Sequence, residues 1–236
     1  STSFVNDIKA DLFDVNTVYI ALDNHKFGDF NPYLFKSTDK GKTWKSIKGN
    51  IPGRTLVWRI VQDHIKPGLL FAATEFGIYF TIDGGNQWIK FTGNVPTISF
   101  RDLAIQRTEN DLIAASFGRG FFILDDYSSL RQFVIEDLES EAKLFTTRDA
   151  WWYIQRSPLG DEEKGSFGAQ LYTAPNPPFG AVFTYYLNKN YKTLKETRKE
   201  QEEKLLKENK NITFPDWDIL EKELNQEKAK IWLTIK

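Results

Sequence analysis

Short runs of apolar, β-branched and aromatic residues alternate with turn-forming clusters through the first half of the chain. That is the pattern of half-buried strands. The clearest set is Trp58–Val61, Leu69–Thr74, Gly77–Ile82 and Gln87–Phe91, bounded by Lys66-Pro67-Gly68, Glu75-Phe76-Gly77 and Asp83-Gly84-Gly85. A similar set precedes it: Val5–Lys9, Thr17–Leu22, Tyr33–Lys36 and Thr43–Ile47. A shorter set follows, Arg101–Ile105, Asp111–Ser116 and Gly120–Leu124, without a clear fourth run.

These sets are copies of one unit. Ser37 to Trp44 and Thr81 to Trp88 share the pattern Ser/Thr-x-Asp-x-Gly-x-x-Trp. Asp39 and Asp83, Trp44 and Trp88, and Asn50-Ile51-Pro52 and Asn94-Val95-Pro96 are each 44 residues apart. A third unit keeps its acidic turn at Ile123-Leu124-Asp125-Asp126 but has lost the glycine and tryptophan. Four strands per repeat of this length is the module of a β-propeller blade. The prediction is a mainly β chain whose residues 1–135 form about three four-stranded blades, the C-terminal part of a larger propeller. The shared element has a mechanical role. A carboxylate accepts backbone N–H groups inside the turn, glycine allows positive φ, and the indole packs under the hairpin. Ser37, Asp39, Gly41 and Trp44, with Thr81, Asp83, Gly85 and Trp88, are therefore expected to close the turn between the third and fourth strands.

Beyond residue 135 the repeat fades into an irregular connector, 136–180. It holds the cluster Trp151-Trp152-Tyr153, a polar loop Ser157–Gly168 and a stiff linker Ala174–Gly180. The tryptophan pair reads as inter-domain packing, with a sugar-stacking platform as the competing role. Ala181–Leu187 and Ile231–Ile235 read as strands. Between them half of residues 189–230 are charged, which predicts helices over 191–209 and 216–229 with solvated faces. Leu194, Leu205, Ile219, Leu220 and Leu224 would form a narrow buried stripe.

The chain opens on Ser1 and contains no methionine, so a piece of a longer protein is expected. Without cysteine there is no disulfide or thiol chemistry. A net charge of -1 supplies no field for nucleic acid or anionic membranes. No apolar run approaches the roughly 20 residues needed to span a bilayer.

The two turns resemble the Asp-box, or bacterial-neuraminidase repeat, of sialidases, xyloglucan-cleaving propellers and sortilin-type receptor propellers. Over about residues 4–135 the chain is similar to the sortilin-like Asp-box propeller region of large secreted bacterial proteins often labelled glycosyl hydrolase. The words that carry this are Asn16-Thr17-Val18-Tyr19, Pro32 to Asp39, Ala73-Thr74-Glu75-Phe76-Gly77, and Phe117-Gly118-Arg119-Gly120 leading to Asp125-Asp126. The resemblance implies a secreted, cell-surface or periplasmic protein. It also implies an accessory β-sandwich beginning near residue 181, its first strands split by a helical insertion at 191–229. Propellers use roughly four to eight blades, so the remaining blades are expected upstream or in another chain.

Propeller ligands usually bind opposite the acidic turns. Aligning the first strands on Ile8, Ile60 and Leu103 puts Asp7, Arg59 and Asp102 at one position, preceded by Asn6, Trp58 and Arg101. The second-to-third-strand loops add Glu75, Arg119 and a longer excursion, Asp23 to Asn31. A glycosidase needs two carboxyl groups roughly 5–10 Å apart, and Asp7, Glu75 and Asp102 are the candidates. Arg59, Arg101, Arg119, Trp58 and His25 are the candidate ligand-binding groups. The opposing expectation is that the Asp/Arg pairs join blades as ion pairs. His25 and His64 are the only histidines and lie on different units, so no metal site or Ser-His-Asp triad is expected, and no cofactor. The leading expectation is a non-catalytic protein- or glycan-binding or assembly module. The alternative is a glycoside hydrolase, sialidase- or xyloglucanase-like, whose active site is shared with the missing blades.

Overall fold

The computed structural model describes residues 3–154, 168, 179–227 and 230–234. The fold is mainly β. Three antiparallel sheets follow one another along the chain. The first comprises β1 (Phe4–Ala10), β2 (Val18–Asn24), β3 (Asp29–Ser37) and β4 (Lys45–Ser46). The second comprises β5 (Val57–Gln62), β6 (Leu70–Thr74), β7 (Gly77–Thr81) and β8 (Ile89–Lys90). The third has β9 (Phe100–Gln106), β10 (Asp111–Ser116) and β11 (Phe121–Leu124), with no fourth strand among the described residues. Spatial order equals chain order in every sheet, and first strands neighbour first strands. The result is a partial β-propeller.

Strand period distributes the core. Successive residues of a strand point to opposite faces, so β6 serves two cores at once. Leu70 and Ala72 join Tyr19, Ala21, Leu34, Ile60 and Trp88 between the first two sheets. Phe71 and Ala73 join Phe80, Phe100, Leu103, Leu112 and Tyr127 between the second and third. The middle sheet is thus apolar on both faces, which is why Leu69–Thr74 runs without polar alternation. The outer sheets bury one face, and Ile8, Phe121 and Ile123 lie exposed on the others.

The acidic turns join β3 to β4 and β7 to β8. Ser37 Oγ donates to Asp39 (2.7 Å) and accepts the Gly41 N–H, while Asp39 accepts the Thr43 N–H (2.8 Å) and hydroxyl (2.6 Å). These donors hold the Asp39 carboxyl down at about 2, the Thr43 side chain foremost. Thr81 and Asp83 repeat the scheme, with Asp83 accepting from Asn86 and Gln87. The tryptophans differ. Trp88 is 3% exposed and its indole N–H donates to the Ile47 carbonyl of the preceding sheet at 2.8 Å, while Asn50 pairs with both its backbone groups. Trp44 is 43% exposed, against the expectation that both rings pack under their hairpins. The indole of this turn packs onto the preceding sheet, and none stands before Trp44 among the described residues.

A buried ionic cluster fastens the third sheet to the second. Asp63 has no exposed surface and accepts from the Tyr127 hydroxyl (2.7 Å), from Arg131 Nε and Nη2 on the short helix α1 (Ser129–Gln132), and from the Ile65 and Lys66 N–H groups. Strands β12 (Ala142–Leu144) and β13 (Tyr185–Leu187) form a two-stranded sheet.

By contact, residues 140–142 and 187–236 form a separate unit. It contains α2 (Leu194–Lys207) and α3 (Trp217–Asn225). Thr193 and Glu196 make a reciprocal capping box at the start of α2. Arg198 joins the helices, donating to Glu223 (2.6 and 2.9 Å) as well as to Glu202 on its own helix. The expected apolar stripe is not buried: neither helix has a buried residue, and Leu194, Ile219 and Leu224 are exposed. Two short helices in one pairing cannot enclose a stripe, so an ion pair holds them. The expected strand at 181–187 is confined to Tyr185–Leu187, and residues 231–234 join no ladder. Most of the polar loop and proline-rich linker falls outside the described residues.

Candidate functional site

The first strand of each sheet is bulged at one equivalent place. Register shifts leave Asn6, Trp58 and Arg101 as the extra residues of β1, β5 and β9. A bulge re-aims side chains and sharpens the local twist. Here it turns these three, and the Asp7, Arg59 and Asp102 that follow them, toward the neighbouring sheet.

Two groupings result. In the first, Asp7 is buried, accepts the Ile60 N–H at 3.0 Å and lies 3.2 Å from Arg59 Nη1. Arg59 Nε stands 2.8 Å from Asp102 in an ion pair. Asn6 adds a bond to the Val57 carbonyl at 2.9 Å. One guanidinium therefore serves a carboxylate on each flanking sheet, and the three sheets are joined in series.

The second grouping centres on Trp58. Its indole N–H donates to Glu75 at 2.9 Å, and the Ser99 hydroxyl donates to the same oxygen at 3.1 Å. The Arg101 guanidinium lies over the Trp58 ring at 3.7 Å, 3.9 Å from Glu75 and 5.2 Å from the Phe117 ring. Such a cation–π stack fixes a side chain that would otherwise wave in solvent. His25 meets Trp58 edge-on at 5.9 Å, and its Nδ1 is hydrogen-bonded to the buried Asp23. Arg119 is exposed, without a partner among the described residues.

The structure thus brings Glu75, Trp58, Arg101 and His25 together. Asp7, Arg59 and Asp102 form a separate tie, and Arg119 stands apart. Each candidate carboxylate is engaged by a cation or a hydrogen-bond donor. Among the described residues no three His, Asp or Glu side chains converge as metal ligands.

Sequence reasoning missed the Asp23–His25 pair, the Ser99 donor and a repeated aromatic. The second-to-third-strand connections carry Phe27-Gly28, Phe76-Gly77 and Phe117-Gly118, each glycine at positive φ (79°, 118° and 79°). Those phenylalanines are 65, 45 and 71% exposed. The Phe-Gly dipeptide recurring at one point of every unit was the signal that would have revealed them.

No family model matches the chain. It is 30% identical to a xyloglucanase of a Paenibacillus species over a 98-residue alignment, with coverage of 37% of this chain and 10% of that protein. Among solved structures, an ancestral GH74 enzyme is similar at 24% identity and TM-score 0.42, over 50% of this chain and 14% of that one. The GH74 enzyme of Niastella koreensis matches at 17% identity and TM-score 0.42, over 52% and 21%. The GH74 xyloglucanase of Xanthomonas campestris matches at 12% identity and TM-score 0.41, over 61% and 25%. The chain spans a tenth of its curated relative and at most a quarter of these three structures. Among the described residues no helix is long and apolar enough to cross a membrane.

Proposed function

We propose that this chain is a section of a secreted glycoside-hydrolase propeller of the xyloglucan-cleaving kind, to which it contributes a glycan-facing rim. The observation that carries this reading is the set of exposed Phe-Gly turns, Phe27, Phe76 and Phe117, at one end of three consecutive sheets. Flat aromatic faces stack on the C–H faces of sugar rings. The Arg101, Glu75 and His25 groups beside them supply hydrogen bonds that orient hydroxyls. The identity with a xyloglucanase favours this over a stand-alone binding or assembly module. The two acidic turns are proposed to be Asp-boxes of the sortilin-like type. Asp7 and Asp102 are assigned as inter-sheet ties, and the acid and base of the reaction are assigned to blades outside this chain. Trp44, exposed where its repeat mate Trp88 is buried, supports a preceding blade as partner.

The test is titration with xyloglucan oligosaccharides by isothermal calorimetry. Saturable binding is expected, weakened at least fivefold in Phe76→Ala and in Phe117→Ala. Affinity undiminished from the parent's in both variants, or no binding by the parent chain, would sink the rim.

A further inference from the structure

We infer that a second saccharide site lies at the opposite end of the third sheet, in the cavity walled by Trp151, Trp152 and Tyr153. This site does not depend on the Phe-Gly rim. Glu109 sits in the β9–β10 turn and Asp125 and Asp126 follow β11, whereas Phe117 lies in the β10–β11 turn. In an antiparallel sheet these are opposite ends.

The cavity has a volume of about 660 Å³, within the range of small-molecule sites. Its aromatic wall is presented to solvent, with Trp151 and Trp152 73 and 93% exposed. Two large rings left uncovered in consecutive positions forgo the favourable burial of apolar surface, and a flat ligand would recover it. Tyr153 is held edge-on against Phe179 at 5.2 Å, so that part of the wall is braced.

The polar lining decides the ligand class. An organic cation is the competing occupant for aromatic rings beside carboxylates, and Arg148 already fills the place between Glu109 and Asp126. Arg148 donates to the Glu109 carbonyl (3.0 Å) and carboxylate (2.9 Å) and stands 3.6 Å from Asp126. Asp125 and Asp149 remain, both exposed and lining the cavity, without a partner among the described residues. They offer acceptors only. A neutral sugar presents C–H faces to the indoles and hydroxyl donors to two carboxylates, in charge-assisted hydrogen bonds. The cavity matches a hexose unit of a neutral oligosaccharide on both counts.

The test uses the whole chain carrying Phe27→Ala, Phe76→Ala and Phe117→Ala, which removes the rim. Cellohexaose, maltohexaose, mannohexaose and xyloglucan oligosaccharides are titrated with tryptophan fluorescence and calorimetry as readouts. At least one is expected to bind saturably, with Kd raised tenfold or more by Trp152→Ala and threefold or more by Asp149→Asn. Far-UV dichroism should be unchanged, since both side chains are exposed. Failure of the entire panel to bind, undiminished binding in Trp152→Ala, or displacement of the sugar by spermidine would overturn the assignment. Sugar binding by the parent chain that Phe76→Ala and Phe117→Ala leave unweakened but Trp152→Ala abolishes would refute only the rim.

Discussion

Trp44 and Trp88 occupy the same place in the repeat and should respond very differently to truncation. A tryptophan side chain buries roughly 150–250 Å², worth about 5 kcal/mol when complete at ~25 cal/mol per Å². Compactness of the unfolded chain reduces that to roughly 3–4 kcal/mol. Trp88→Ala also strips the Ile47 carbonyl of its donor, adding about 1 kcal/mol. The expected loss is ~4–5 kcal/mol, the upper part of the usual range for such a truncation. Trp44 is 43% exposed, leans on its own turn and makes no described hydrogen bond. Its replacement should cost roughly 2 kcal/mol on the same area scale. Urea unfolding followed by far-UV dichroism measures both without an indole reporter. With a slope of about 2 kcal/mol per molar, Trp88→Ala should lower the midpoint by ~2 M and Trp44→Ala by only ~1 M. Equal shifts would show that the rings pack alike and would refute the inter-sheet role of this turn.

The other predictions concern local devices. Burial by itself would raise the Asp63 carboxyl pKa, but Arg131, the Lys66 and Ile65 N–H groups and Tyr127 more than offset it and hold it below the ordinary 3.8. A carboxyl depressed in the folded state stabilises fully above its unfolded value, and that contribution is lost as pH falls through the folded one. The urea midpoint should therefore drop as pH is lowered below about 4, with a shallower drop in Asp63→Asn; an identical pH slope would refute the linkage. Gly85→Ala should be far worse than Gly84→Ala. The added Cβ at Gly85 would lie 2.8 Å from Ile47 Cβ, whereas at Gly84 nothing lies within 4 Å and only the positive φ is penalised, by about 1 kcal/mol. Comparable melting temperatures would contradict that packing. Thr193→Ala removes half of the α2 capping box and should destabilise the helix by ~1 kcal/mol, read as roughly fivefold faster amide exchange in its first turn.

Much of the first half was legible from the chain. Leu69–Thr74 and Gly77–Ile82 became β6 and β7 almost to the residue, because a hairpin between two apolar runs is a local decision made by turn chemistry and side-chain period. The alignment of Ile8, Ile60 and Leu103 likewise placed Asp7, Arg59 and Asp102 correctly in relation to one another. Their partners were not legible. That one guanidinium would take two carboxylates from sheets 43 and 52 residues away in sequence depends on the bulges at Asn6, Trp58 and Arg101, and no local signal marks those. The helical stripe was misread for a related reason: Leu194, Ile219 and Leu224 keep the right spacing, but spacing cannot say whether a facing surface exists.

Strands, turns and the repeat follow from interactions within a few residues, so the amino-acid order determined them alone. Tertiary structure decided which of two equivalent tryptophans is buried, which carboxylates act as ties and which phenylalanines stay exposed. Those outcomes depend on what lies across the gap between sheets, and a repeated sequence places identical residues before different neighbours.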